Sequence, residues 1–228
     1  MQQYSYNLVN GHRVANIRGR KFLIDTSMPF TVADRPMLIG GDRFEVAPEV
    51  MGLNTAQISK VVGLELDGIL GANVIDNYVM KILPAENTLV LDHYLDAFPL
   101  EIDIDNLGGM VIMNQTIAGI RQKAFLALGM RLSYVNAAMV EGLEPIGYER
   151  DVVGMIGEFE TPVYQLPVAI DRKIHNFKFG VVPTQIQDFI EMANVTAAIG
   201  SELLQHYAVS LSINDGVLML DPLETQIH

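Results

Sequence analysis

The chain has 228 residues, of which 50% are hydrophobic and 18% are charged. This length and apolar content are enough for a buried core, and they exclude disorder as the main state. The 27 acidic residues outnumber the 15 basic ones and give a formal net charge of −12. A surface of this charge repels phosphate, which argues against a nucleic-acid partner. Cysteine is absent, which excludes disulfide scaffolds, Cys-ligated zinc and thiol catalysis.

No segment of the chain has the properties of a membrane anchor or a signal peptide. The N-terminal residues lack an apolar stretch of the signal-peptide kind, and no apolar run approaches the ~20 residues of a membrane span. We therefore expect a soluble, cytoplasmic protein without a membrane partner.

Short apolar runs and turn residues predict strands with a few short helices between them. Residues 85–87 and 214–216 are turn signals between paired runs, and the second contains the Asp-Gly typical of β-hairpins. In chain order, we predict a strand at 21–24, helices at 55–62 and 73–78, strands at 80–84, 89–91 and 123–127, helices at 136–141, 183–193 and 202–207, and strands at 209–213 and 217–220.

The two halves of the chain resemble each other, which indicates an internal duplication. The matching segments are 13–18 with 116–121 and 22–24 with 125–127, both at an offset of 103 residues, and 70–71 with 199–200 and 89–92 with 218–221, both at an offset of 129. The two offsets differ by 26 residues, so the second half carries an insertion. We predict two related lobes, 1–100 and 107–228, joined by residues 100–106.

One motif in the first half carries chemistry. Asp25-Thr26-Ser27 follows the apolar run 22–24, and Ile69-Leu70-Gly71 lies downstream of it. The pair resembles the motifs of the aspartic peptidases of the pepsin and retropepsin kind. The resemblance implies an all-β, bilobal pepsin-like fold with a few short helices, in which Asp25 is the catalytic acid. It also implies that Thr26 hydrogen-bonds to the opposite lobe and that the Thr-Ser turn holds the carboxylate.

Catalysis in such a site needs two carboxyl groups, one from each lobe. At close range both cannot ionise, so they share one proton. One carboxylate then acts as a base on water, while the other acts as an acid on the scissile amide.

The second lobe lacks this acid. The offset of 103 residues pairs Asp25 with Leu128, Thr26 with Gly129 and Ser27 with Met130. The supporting pair Ile199-Gly200 is intact, so the scaffold is retained while the acid is missing. Each general acid or base contributes about 10²–10⁴ in rate. We therefore expect hydrolysis by the monomer to be absent or impaired.

The insertion in the second lobe has its own pattern. Residues 151–168 contain glycines around an apolar pair and then alternate in polarity, which predicts a long hairpin with its tip at Met155, Ile156 and Gly157. By resemblance, this hairpin is a flap that closes over an extended peptide, which strand-like backbone hydrogen bonds would hold.

Three functions remain open on these grounds. The first is a protein that binds an extended polypeptide in the cleft between the lobes, with hydrolysis absent or impaired. The second is an active aspartic endopeptidase, in which Asp25 works through homodimerisation or with a recruited acid such as Asp151 or Glu158. The third is a structural interaction module whose cleft is closed by side chains.

Other chemistries lack a pattern in the sequence. The five histidines have no metal-ligand spacing, so we expect surface or capping roles for them and no metal site. No Gly-x-Ser-x-Gly motif, phosphate loop or dinucleotide fingerprint occurs, so no cofactor is expected.

Overall fold

The computed structural model describes residues 1–95, 97–153 and 157–223. Strands make up most of this part of the chain, as expected for an all-β protein, and the helices are short. No helix in the described residues has both the length and the apolar character that crossing a membrane requires.

The first half of the chain contains eleven strands and two α-helices. Their bounds are β1 Gln2–Val9, β2 His12–Ile17, β3 Arg20–Ile24, β4 Val32–Ala33, β5 Met37–Ile39, β6 Asp42–Phe44, β7 Glu49–Val50, β8 Leu53–Asn54, α1 Thr55–Val62, β9 Gly68–Leu70, α2 Ala72–Ile75, β10 Val79–Leu83 and β11 Thr88–Asp92, with a 3₁₀ turn at Pro84–Glu86.

The second half contains ten strands and one α-helix within the described residues. Their bounds are β12 Leu100–Leu107, β13 Met110–Ile117, β14 Ile120–Leu126, β15 Ser133–Val135, β16 Gly147–Val153, β17 Gly157–Ile170, β18 Lys173–Val181, α3 Gln187–Met192, β19 Ala197–Ile199, β20 Tyr207–Ser212 and β21 Val217–Pro222, with 3₁₀ turns at Ala137–Val140, Thr184–Ile186 and Ser201–Gln205.

Local sequence signals explain where helix α1 begins and ends. Asn54 accepts a hydrogen bond from the Gln57 N–H, and the Gln57 side chain accepts one from the Asn54 N–H, which forms a capping box. Gly63 ends the helix in the left-handed region at φ 72°, a conformation that favours glycine. The strand and helix predictions lie within a few residues of the observed elements.

The two halves share one pattern of strand pairing. In the first half β3 runs parallel to β9, with Leu23 opposite Ile69, and β4 is antiparallel to β9. In the second half β14 runs parallel to β19, with Phe125 opposite Ala198, and β15 is antiparallel to β19. The duplication predicted from the sequence is therefore visible in the backbone.

A six-stranded antiparallel sheet joins the two halves, in the order β1, β11, β10, β20, β21 and β12. Its central pair places Lys81 opposite Ser210, with Met80 opposite Leu211 and Ile82 opposite Val209. At the offset of 129 residues, positions 80, 81 and 82 of the first half correspond to positions 209, 210 and 211 of the second half. The two halves therefore pair with each other through equivalent residues. An approximate two-fold axis therefore passes between Lys81 and Ser210.

One apolar core runs through both halves. Its buried members include Phe22, Met80 and Leu91 from the first half and Leu126 and Phe177 from the second. Residues 100–106, predicted as the connection, lie within strand β12, which pairs with both β21 and β13. The lobe boundaries 1–100 and 107–228 stay a prediction.

Candidate active site

Asp25 lies directly after strand β3, in a loop that holds its carboxyl group. Its Oδ1 accepts hydrogen bonds from the Ser27 N–H at 2.9 Å and the Ser27 hydroxyl at 2.7 Å. Burial raises the pKa of Asp25 above its ordinary value. These two Ser27 bonds, the Gly129 N–H and the charge of His12 each lower the pKa, but the effect of burial is larger. Asp25 therefore favours its protonated form more than an exposed aspartate does.

Thr26 connects the two loops across the two-fold axis. Its hydroxyl donates to the Leu126 carbonyl at 2.5 Å and accepts from the Leu128 N–H at 3.0 Å. The residue is 1% exposed, so both bonds are shielded from water. The resemblance implied this contact with the opposite lobe.

The hydrogen bonds correct the predicted register by one residue. The Asp25 N–H donates to the Leu70 carbonyl, and the Ala127 N–H donates to the equivalent Ile199 carbonyl. One further pair of equivalent hydrogen bonds agrees. The Met28 carbonyl accepts from the residue after Gly71, and the Met130 carbonyl accepts from the residue after Gly200. The offset in this loop is therefore 102 residues, and Ala127 stands where the second acid would be.

Each half also places a glycine under its loop. A Cβ added at Gly71 would lie 2.6 Å from the Phe30 carbonyl carbon, and one at Gly200 would lie 2.5 Å from the Leu132 oxygen. The N–H of Gly71 donates to the Thr31 hydroxyl, and that of Gly200 donates to the Ser133 hydroxyl, each at 3.0 Å. Their neighbours Ile69, Leu70 and Ile199 are fully buried. Both halves thus retain the same support.

The corrected register changes the roles of three predicted residues. Leu128 corresponds to Thr26 rather than Asp25, and its side chain is buried in the main core. Gly129 corresponds to Ser27, and its Cα lies so close to Asp25 that an added Cβ would be 2.4 Å from the Asp25 Cγ. Met130 corresponds to Met28. The second loop therefore has neither an acid nor a hydroxyl to match the first.

The Asp25 side chain lines a cavity of about 170 Å³ with mostly apolar walls. Four methionines contribute to the lining, together with leucine, isoleucine and valine side chains of both halves. The polar lining residues are His12, Asp25, Ser27, Tyr134 and Asp151, and the methionines are Met28, Met51, Met110 and Met130. An apolar enclosure with a few convergent polar groups is typical of a ligand site.

His12 is a site residue that sequence reasoning missed. It is 5% exposed, and its Nδ1 lies 2.9 Å from the Gly129 carbonyl oxygen. No metal-ligand spacing or motif surrounds this histidine in the sequence, which is why a surface or capping role is predicted for it. The turn at Asn10-Gly11 and the start of β2 place His12 beside the second loop, and this placement depends on the fold rather than on any local motif.

The predicted hairpin is present as strands β16 and β17, paired from Gly147 opposite Val163 to Val153 opposite Gly157. Met155 and Ile156 of the predicted tip lie outside the described residues. Glu158, at the tip end of β17, forms an ion pair with Lys60 of α1 in the first half. The hairpin therefore spans from the second half to the first.

Asp151 of β16 enters the site, whereas Glu158 does not. Asp151 lines the cavity, and its Oδ2 accepts a hydrogen bond from the Tyr134 hydroxyl at 2.5 Å. Burial and the neighbouring Asp151 charge raise the pKa of Tyr134, so this phenol stays a donor. At the corrected offset of 102 residues, Tyr134 in β15 corresponds to Val32 in β4 of the first half.

Of the remaining histidines, two lie together on the second half. The His175 Nε2 is 2.9 Å from the Tyr207 hydroxyl, and the His206 ring stacks on Phe177. Within the described residues, no group of three or more His, Asp and Glu side chains is placed to hold a metal ion.

The described part of the chain has two related β-rich halves that face each other across an approximate two-fold axis, which is the arrangement implied by the resemblance to pepsin- and retropepsin-like proteins. A crystal structure of a retropepsin-like aspartic protease from Rickettsia conorii is similar to this chain, with 18% sequence identity and a TM-score of 0.41. The similar region covers 53% of this chain and 89% of the Rickettsia chain. No protein-family model and no curated protein matches the sequence.

Proposed function

We propose that this retropepsin-like chain binds an extended polypeptide in the cleft between its halves, and that hydrolysis is absent or impaired. The observation that carries the proposal is Ala127, which takes the place of the second acid while the loop around it is intact. Without a carboxyl group at position 127, a water molecule bound at Asp25 lacks the partner acid that would protonate the leaving nitrogen. The other carboxyl group of the cavity, Asp151, is hydrogen-bonded to Tyr134.

The shape of the hairpin supports a polypeptide as the ligand. Among the described residues, strand β16 pairs with β17 along one edge and has no strand on the other. A free edge can pair with an extended chain through backbone hydrogen bonds, which do not depend on the ligand's sequence. Ile146 and Tyr148, which are 59% and 65% exposed, lie at this strand and would add apolar contacts.

Fluorescein-labelled casein, which is an extended polypeptide without a fixed fold, provides a direct test. Binding is measured by fluorescence anisotropy, and cleavage by gel electrophoresis, both between pH 3 and pH 8. The variant Val61→Trp fills the cavity next to α1, and Ile174→Trp is the matched control on a residue that is 73% exposed.

We expect the wild-type chain and Ile174→Trp to bind casein alike, Val61→Trp to bind at least tenfold more weakly, and none of them to cleave it. Equal binding by Val61→Trp would exclude the cleft as the site. Cleavage by the wild-type chain that Asp25→Asn abolishes would show that the chain is an active peptidase.

An active endopeptidase with a recruited acid is the second candidate. It is favoured by one observation, namely that His12 and Asp151 line the same cavity as Asp25. The homodimer route has less support, because strand β10 of the first half is already paired with β20 of the second half. Casein cleavage that is lost in Asp25→Asn and also in Asp151→Asn would favour the recruited acid.

A further inference from the structure

His12 is held in one tautomer by the second loop. Its Nδ1 lies 2.9 Å from the Gly129 carbonyl oxygen, which can only accept a hydrogen bond. Nδ1 must therefore carry the proton, and in the neutral ring Nε2 is a free acceptor. Tautomers of histidine are set in this way by the partner of the other nitrogen.

The Nε2 atom of His12 is open to a ligand. It makes no hydrogen bond with the described residues, and it is not among the buried polar atoms that are closed off from solvent. The ring lines the cavity beside Asp25 and also a second, polar pocket. The charged residues of that pocket are Arg131, Arg150 and Asp151, so His12 faces both signs of charge there.

Asp25 presents the complementary group. Its Oδ1 already accepts two hydrogen bonds from Ser27, and the carboxyl group accepts a third from the Gly129 N–H. We assign the proton of the neutral acid to Oδ2, which accepts no bond from Ser27 and can still donate outward. Oδ2 lies against Gly129, 2.6 Å from the point where a Cβ would stand. His12 and Asp25 therefore contact the same residue, one at its carbonyl oxygen and the other at its Cα.

We propose that Asp25 and His12 act as one pair that recognises a secondary amide of the bound polypeptide. The Asp25 Oδ2–H donates to the amide oxygen, and His12 Nε2 accepts the amide N–H. No bond is broken and no proton leaves the protein. The proposal rests on the polypeptide-binding function, and it replaces the acid pair of an active peptidase with a donor and an acceptor.

The first experiment tests the His12 acceptor without a ligand. The nitrogen-15 signals of the histidine rings are recorded by NMR in the wild-type chain at pH 8. We expect His12 to show a protonated Nδ1 and an unprotonated Nε2, because the Gly129 carbonyl oxygen can only accept a hydrogen bond. The signal of exposed His93 serves as the internal reference. A His12 ring with its proton on Nε2 overturns the pair.

The second experiment uses labelled casein at pH 7 and two variants, His12→Phe, which has no acceptor, and His12→Gln, which keeps an oxygen that can accept a hydrogen bond. The thermal unfolding of both variants is compared with that of the wild-type chain to establish that they fold. We expect His12→Phe to bind casein about tenfold more weakly than the wild-type chain and His12→Gln to bind it more tightly than His12→Phe does. Equal affinities of the wild-type chain and His12→Phe overturn the role of His12.

The two proposals fail in different ways. If casein does not bind, polypeptide binding is wrong, and the NMR experiment still decides whether His12 offers Nε2 as an acceptor. If casein binds in the cleft and His12→Phe binds it as tightly as the wild-type chain does, polypeptide binding stands and the amide-recognising pair is wrong.

Discussion

Two opposing influences act on the Asp25 proton. The apolar surroundings disfavour the anion, whereas Ser27, Gly129 and His12 favour it, and burial prevails. The resemblance to aspartic peptidases implies a second carboxyl group beside Asp25, which would share its proton. Here Ala127 is the neighbour, and it contributes no charge and no hydrogen bond.

The raised pKa of Asp25 leads to a pH-dependent stability. The stabilisation it contributes is complete below the ordinary aspartate pKa of about 3.9 and is lost as pH rises through the higher folded-state pKa. Asp25→Asn, which cannot ionise, should therefore have a higher melting temperature relative to the wild-type chain at pH 7 than at pH 4. Circular dichroism melts at the two pH values measure this difference.

Asp103→Asn is the matched control, because Asp103 is exposed. It should show the same melting-temperature difference from the wild-type chain at both pH values. If Asp25→Asn behaves like this control, the Asp25 anion is not disfavoured in the folded chain.

The corrected register can be tested by restoring an acid. Ala127→Asp places a carboxyl group opposite Asp25 and should raise casein cleavage in the acid range by about 10²–10⁴ over the wild-type chain. Leu128→Asp is the control one residue further on. It removes a buried core side chain and should destabilise the chain by about 2–5 kcal/mol without raising cleavage. Gain of cleavage in Leu128→Asp alone would contradict the register.

The positions of Asp25, Thr26 and the two supporting glycines were predictable from the sequence. Each belongs to a short motif in which polar residues or a glycine follow an apolar run. The partner of Asp25 was misplaced because Phe125, Leu126 and Ala127 are all apolar, so neighbouring offsets fit almost equally well. Only the backbone hydrogen bonds distinguish them. Strand β14 has seven residues and β3 has five, which changes the offset between the hairpin and the loop.

At the level of elements, close packing between strand and loop fixes the geometry of both halves. Gly200 has an ordinary φ of −86°, so its requirement is steric rather than conformational. Gly200→Ala should lower stability by about 1–3 kcal/mol, because the new methyl group would meet the Leu132 carbonyl at 2.5 Å. Urea denaturation measures the change.

Gly147→Ala is the control for this substitution. Nothing lies within 4 Å of a Cβ added at Gly147, so its stability should change by no more than about 0.5 kcal/mol. Equal losses in the two variants would mean that loss of glycine itself, rather than contact with Leu132, destabilises the chain.

The strands and short helices were predictable because their apolar runs and turn residues are local signals. The connection at 100–106 was not recognised as part of the central sheet, since its partners β13 and β21 lie elsewhere in the chain. The hairpin at β16 and β17 was predicted from its glycines and alternation. Its ion pair between Lys60 and Glu158 depends on the arrangement of the two halves, which sequence alone does not give.

At the scale of the whole molecule, the central sheet couples the two halves. Ile82 and Val209 lie opposite each other across the axis, and both are fully buried. Since one core also runs through both halves, we expect a single unfolding transition. Calorimetry should give equal calorimetric and van't Hoff enthalpies.

Ile82→Ala should lower the free energy of unfolding of the entire molecule by about 2–5 kcal/mol and shift the whole calorimetric peak. Leu8→Ala, at a residue that is 60% exposed, is the control and should leave the peak in place. Two peaks, of which only one moves in Ile82→Ala, would show that the halves unfold independently.

The methionine wall of the cavity has a consequence for selectivity. Met28, Met51, Met110 and Met130 are unbranched, and their thioethers adapt to neighbours of different shape at little energetic cost. Such a wall discriminates poorly between one apolar side chain and another. In the proposed polypeptide-binding function, the polar groups of the lining rather than the methionines would then determine selectivity, so peptides with different apolar side chains would bind in the same cavity.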